Sequence, residues 1–122
     1  MAHPTERRCL GYTYDAGTDT WVKVNAGVYT TPTHTAVNVT TATGEVLATN
    51  ANRLYALFVN DSNVVVYLSL GVAAVANTGI RLNADGGSYA MSAVLGNLYL
   101  GVINAIHGGL WGNKLLIMTE GV

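Results

Sequence analysis

The chain has 122 residues, half of them apolar and 11% charged, with six Lys and Arg against seven Asp and Glu for a formal net charge of -1. That length suits one domain around a single core that buries roughly two-thirds of the unfolded surface. Only Arg7 and Arg8 adjoin one another, so no basic face is available to release counterions and a nucleic-acid partner is excluded.

Residues 1–18 show no apolar periodicity, and Pro4, Gly11 and Gly17 interrupt them, which predicts an extended N-terminal arm ahead of a domain over 19–122. Tyr12 and Tyr14 fall on one side of an extended segment, where they would dock the arm onto a neighbour or cover their own domain. Cys9 is the sole cysteine, which rules out an internal disulfide and a multi-cysteine zinc site. The opening residues lack the apolar run of a secretory signal, and no stretch reaches the roughly 18 apolar residues a membrane helix needs. The expectation is a soluble protein made without export signals and free of membrane partners.

Thr20 to Asn25 sets Val22 and Val24 against Trp21 and Lys23, the period of a strand with one buried face. A second strand is predicted in the Thr-rich stretch from Thr30 to Thr43, around Val37 and Val39 and after the break at Pro32. Composition shifts near Asn50 to Asn52, from Thr-rich to Val-, Leu-, Tyr- and Gly-rich, inside one domain. The strongest pattern runs from Arg53 to Leu70, two apolar β-branched and aromatic stretches flanking Asn60-Asp61-Ser62-Asn63. Those four residues tolerate tight turns, so the segment reads as an antiparallel hairpin. Both of its faces are apolar, with Leu54, Ala56 and Phe58 on one and Tyr55, Leu57 and Val59 on the other, so sheet, loop or another subunit should cover each.

Shorter strands follow at Ile80 to Leu82, Ser88 to Met91, Leu98 to Ile106 and Leu115 to Thr119, with glycine turns between them. Val72 to Ala76 and Ala90 to Leu95 could each form one helical turn, but neither is long enough for a stable helix. Short strands about ten residues apart without a sequence repeat predict an all-β antiparallel sandwich or jelly-roll-like barrel. Leu54, Phe58, Val66 and Leu68 are the predicted core.

Chemistry finds little purchase. His3, His34 and His107 are the available bases, and His107-Gly108-Gly109 lacks the nucleophile elbow that would make it an oxyanion loop, so it reads as a glycine turn. Asp61 and Asp85 read as turn formers rather than a carboxylate pair. No metal-binding or phosphate-cradling spacing occurs, and no cofactor is implied. Asn38-Val39-Thr40 matches a glycosylation acceptor, which the expectation of no export signal marks as a coincidence. Trp21 and Trp111 fit three roles: core packing, a protein interface, or a platform that stacks on sugars. A charge share below the usual quarter points to a surface partly covered by neighbours, the alternative being a neutral Thr, Asn and Gly exterior.

The segment Asn52 to Gly121 resembles small tailed-bacteriophage virion proteins, in particular capsid decoration or cement-like proteins. The elements that carry the likeness are Asn52-Arg53-Leu54-Tyr55, Asn60-Asp61-Ser62, Val66-Tyr67-Leu68-Ser69-Leu70-Gly71, Gly79-Ile80-Arg81-Leu82-Asn83, Gly86-Gly87-Ser88-Tyr89, Leu98 to Ile106, Lys114-Leu115-Leu116 and Thr119-Glu120-Gly121. The resemblance implies a β-sandwich that forms a homotrimer or other small oligomer on the outer surface of a phage head, with the major capsid protein and its own copies as partners. Phage tail and fibre components share the pattern, which leaves a glycan-binding module as the alternative. On this reading the chain is no enzyme, and Tyr12, Tyr14, Trp21 and Trp111 are the candidate interface residues.

Overall fold

The structure is a computed structural model that describes residues 28–122, together with the backbone strands β1 (Arg8–Cys9), β2 (Tyr12–Asp15) and β3 (Thr20–Lys23). These three form an antiparallel sheet in chain order, with Tyr14 opposite Trp21 and Tyr12 opposite Lys23. The segment read as an arm thus contributes β1 and β2, and β2 pairs with β3 across the boundary set at residue 18. The rest of that segment lies outside the described residues.

Eight further strands build the domain: β4 (Pro32–Val39), β5 (Gly44–Leu47), β6 (Tyr55–Asn60), β7 (Val66–Leu70), β8 (Ile80–Leu82), β9 (Ser88–Ser92), β10 (Ile103–His107) and β11 (Lys114–Gly121). They form two antiparallel four-stranded sheets, ordered β4-β11-β6-β9 and β5-β10-β7-β8. All described secondary structure is strand. Numbered one to eight from β4, the sheets read 1-8-3-6 and 2-7-4-5, the order produced when a long hairpin of paired strands rolls up into two Greek keys, a jelly roll. The predicted sandwich is therefore realised in its jelly-roll form.

Alternation sets the core. Ala56 and Phe58 from β6, Val39 from β4, Leu116 and Met118 from β11 and Met91 from β9 face Val66, Leu68, Leu82, Ile103 and Ala105 from the other sheet, all nearly or wholly out of contact with solvent. Of the predicted core, Phe58, Val66 and Leu68 are fully buried and Leu54 is only half-buried. The residue beside it, Arg53, takes the interior position.

The Arg53 to Leu70 segment is not a hairpin. β6 pairs with β11 and β9, whereas β7 pairs with β10 and β8, so the chain crosses from one sheet to the other between them. Turn residues dictate that the chain reverses, not whether the two strands then meet edge to edge or face to face. The buried Asn60 carboxamide settles the matter. Its Nδ2 donates to the carbonyls of Val64, Leu82 and Asn83, and its Oδ1 accepts from the backbone N–H and the hydroxyl of Ser62. These bonds tie the crossover to the β8–β9 turn, where Asp85 adopts a left-handed conformation with φ 58°. Asp61 and Asp85 both sit in turns.

Other boundaries shift for visible reasons. The Thr-rich segment yields β4, with Pro32 as the first residue of an edge strand, where its missing donor costs no ladder bond. The unanticipated β5 follows after a short turn. Leu98 to Val102 precedes β10 as loop because carbonyls of Tyr99 and Gly101 face Arg53 instead of a strand. Val72 to Ala76 contains no helical turn, and Ala90 to Leu95 runs from the end of β9 into a single turn in which the Gly96 N–H donates to the Ser92 carbonyl at 3.1 Å.

Arg53 closes the end of the sandwich opposite the Asn60 crossover. Its guanidinium pairs with Glu120 of β11 at 2.7 Å and donates to the carbonyls of Ala48, Tyr99 and Gly101, so one side chain spans both sheets. Replacing it with an apolar side chain leaves Glu120 and three inward carbonyls without partners. Arg53→Met is expected to cost about 3–5 kcal/mol in urea denaturation, with part of the loss recovered in Arg53→Met/Glu120→Gln.

Candidate functional site

The two outer faces of the sandwich differ. On sheet β5-β10-β7-β8 the outward side chains include Glu45, Arg81, Tyr67 and Asn104, and the loop after β7 folds back across them. Tyr67 donates its hydroxyl to Asn77 at 2.8 Å, Asn104 donates to the Val72 carbonyl at 2.8 Å, and the Ala74 N–H donates to the Thr43 hydroxyl at 2.7 Å. The strap buries Tyr67 and Ala74, so this face is charged at its edges and covered by its own chain.

Among the described residues, nothing covers most of the length of the other face. Register along β4-β11-β6-β9 brings together His34, Ala36 and Asn38, Leu115, Ile117 and Thr119, Leu57 and Val59, and Ser88 and Ala90. No carboxylate, Lys or Arg points outward there, because the charged Glu120 has the opposite parity and turns inward to Arg53. Leu115 and Ile117 keep more than a third of their surface open to solvent. A shallow groove of about 430 Å³ runs between Ala36, Leu57, Val59 and Ile117, with His34 and Thr119 at one end. His34 Nδ1 lies 2.8 Å from the Thr119 hydroxyl, a contact that orients the imidazole across the groove mouth.

Tyr29 marks where the bare face stops. Its ring stacks on Tyr55, centroids 5.2 Å apart, and lies against Gly121, where a Cβ would collide with it. Backbone bonds between Thr30, Thr31 and Val122 hold the segment in place. The apolar stretch on both faces of β6 that the sequence shows is thus resolved unequally: the inner face fills the core, and Leu57 and Val59 remain on the open surface.

A second apolar feature stands at the end of the sandwich where β10 leads into β11. The connection from β10 to β11 projects Leu110 and Trp111, 94% and 81% exposed. His107, itself buried, holds that loop from below. Its Nδ1 accepts the Gly109 N–H at 3.1 Å and its Nε2 lies 2.7 Å from the Gly112 carbonyl, an arrangement that requires the neutral ring with the proton on Nε2. Gly112 completes the turn with φ 90°, a conformation that a side chain would strain. The histidine is therefore a loop clamp, and both of its nitrogens are already occupied by backbone.

Among the interface candidates, Trp111 stands at this exposed tip. Tyr12, Tyr14 and Trp21 occupy β2 and β3, with Tyr14 and Trp21 as cross-strand partners, and their side chains lie outside the described residues. The sequence pattern sets Leu57 and Val59 on an apolar face without fixing what covers it, and it gives no notice of Ile117 and Ala36, whose outward direction depends on Glu120 turning in. It also passed over Leu110, although an apolar pair between glycines is a signal for a projecting turn. Among the described residues, no group of three or more His, Cys, Asp or Glu side chains comes together. Further exposed apolar residues are Val72 and Val75 on the strap after β7, and Val94, Leu95 and Leu100 on the β9–β10 connection at the opposite end of the sandwich.

His107→Leu removes both clamp bonds and strands the Gly109 N–H and Gly112 carbonyl. A loss of about 2–4 kcal/mol is expected in chemical denaturation, with faster amide exchange confined to residues 108–113.

No protein-family model matches the chain, and no curated protein or solved structure matches it, so its role rests on the chemistry of its own surface.

Proposed function

We propose that the protein is a bacteriophage virion structural protein, a capsid decoration protein that binds the assembled head as an oligomer and stabilises it, without catalysing a reaction. The observation that carries the packing role is the uncharged outer face of β4-β11-β6-β9, with Leu115 and Ile117 exposed and Leu57 and Val59 half-buried among the described residues. Apolar surface of this kind, lacking charges to keep it solvated, is stabilised when another protein surface covers it. The resemblance of Asn52 to Gly121 to decoration proteins supplies the setting, and the jelly roll is a fold that viral capsid domains also use.

The mechanism is linkage. A protein that binds the assembled shell and not its dissociated subunits stabilises the shell by about 2.7 kcal/mol per site when its free concentration is a hundred times Kd. The major capsid protein supplies the surface on the outside of the head, and sister copies, a homotrimer in the reading the resemblance implies, supply the remaining contacts. Apolar coverage and geometric fit are the whole of the activity; no proton or group moves.

The exposed indole of Trp111 favours a second reading, a tail or fibre module that stacks on host glycan. Leu110 beside it argues for an apolar partner, since sugar sites combine the stacking ring with convergent hydrogen-bonding groups.

Purified protein mixed with undecorated phage heads is expected to bind saturably at micromolar concentration and to raise the temperature at which the heads come apart. Absence of binding at that concentration contradicts the decoration reading. Glycan-array binding that disappears in Trp111→Ala would establish the second reading instead.

A further inference from the structure

The bare face carries a groove and not a bulge. Ala36 on the edge strand β4 pairs with Ile117, and Leu57 and Val59 stand on the strand beyond it, so the short alanine side chain lies along one side of the depression of about 430 Å³. Two such faces laid against each other would oppose two hollows and leave the space between them unfilled, which forfeits the dispersion contacts that make an interface stable. A convex apolar occupant fits better. It should also be neutral, since no charged side chain on this face would pair with it.

The same chain provides such an object. Leu110 and Trp111 are the two most exposed large apolar residues among those described, adjacent on one projecting turn and without charge. At 94% and 81% exposure neither lies in its own groove. The clamp formed by His107 with Gly109 and Gly112 fixes the turn before any partner arrives, so little conformational freedom is lost on insertion. Tryptophan is also the side chain most often found as the central anchor of a protein interface.

We propose that the Leu110-Trp111 tip of one copy inserts into the Ala36-Leu57-Val59-Ile117 groove of a second copy, so that the protein self-associates head to tail. Such an interface is heterologous: each copy contributes a tip to one neighbour and a groove to the other, and the assembly closes into a ring when the rotation between copies allows it. This arrangement deepens the packing role proposed above and rests on that reading, yet it is separable from the capsid assignment, because self-association is measured on the purified chain with no heads present.

Heterologous contact has a signature that face-to-face contact lacks. Trp111→Asp disables the tip and keeps the groove, whereas Ala36→Glu fills and charges the groove and keeps the tip. Both positions are exposed, and circular dichroism identical to the parent protein verifies that each variant is folded. In sedimentation velocity at about 50 µM, the parent chain is expected as an oligomer and each variant alone as a monomer, with association weakened at least about thirtyfold. An equimolar mixture of the two variants should give a one-to-one dimer and nothing larger, because a single intact tip and a single intact groove remain to meet. A monomeric parent chain overturns the proposal, as does a Trp111→Asp variant that associates like the parent. A mixture that stays monomeric while both variants are folded also overturns it. Binding of heads without self-association would leave the decoration reading standing and remove this one.

Discussion

Arg53 is the side chain on which the closed sandwich depends. A guanidinium buried among apolar strands is tolerable only when every donor finds an acceptor and its charge finds a counter-charge. Glu120 provides the charge from one sheet, and the carbonyls of Ala48, Tyr99 and Gly101 provide acceptors from the segments that enter and leave the other. The requirement to satisfy this one group brings two connections, β5–β6 and β9–β10, together with strand β11 at one end of the molecule. It also decides the parity of β11: with Glu120 turned inward, Leu115, Ile117 and Thr119 must turn outward.

That consequence links core to surface. Two charged residues neutralise each other in the interior, and the face on the other side of the same strand is left without charge. At the far end, Asn60 performs the corresponding task with hydrogen bonds alone, stitching the crossover to the β8–β9 turn. Between these two polar anchors the apolar layer of Phe58, Leu68, Met91, Ile103 and Leu116 packs without specific direction, as hydrophobic burial does. The anchors supply the registration that such a layer lacks, and both outer surfaces follow from it: one strapped by the loop carrying Ala74 and Asn77, the other open.

Local pattern in the sequence was enough to reveal the class of fold and most strands, because period-two alternation and glycine turns are local signals. It also identified Phe58, Val66 and Leu68 as core. The pairing of strands was not legible. Asn60-Asp61-Ser62-Asn63 carries the composition of a hairpin turn, and its use as an inter-sheet crossover depends on Leu82 and Asn83, more than twenty residues away. Arg53 was equally opaque, since a lone arginine next to Leu54 looks like surface until its four partners are assembled in space. Trp111 drew notice by residue type, but its setting on a clamped turn depends on the unremarkable His107.

On the proposed reading, the uncharged face and the Leu110-Trp111 tip are the surfaces through which the protein meets other protein. Hydroxyl-radical footprinting of the associated protein against its diluted form reads the exposure of individual side chains and tests this most directly. The prediction is protection at Leu57, Ile117, Leu110 and Trp111, with Val94, Leu95 and Leu100 at the opposite end still fully reactive. Protection of the opposite end with the face and tip unchanged would contradict the account.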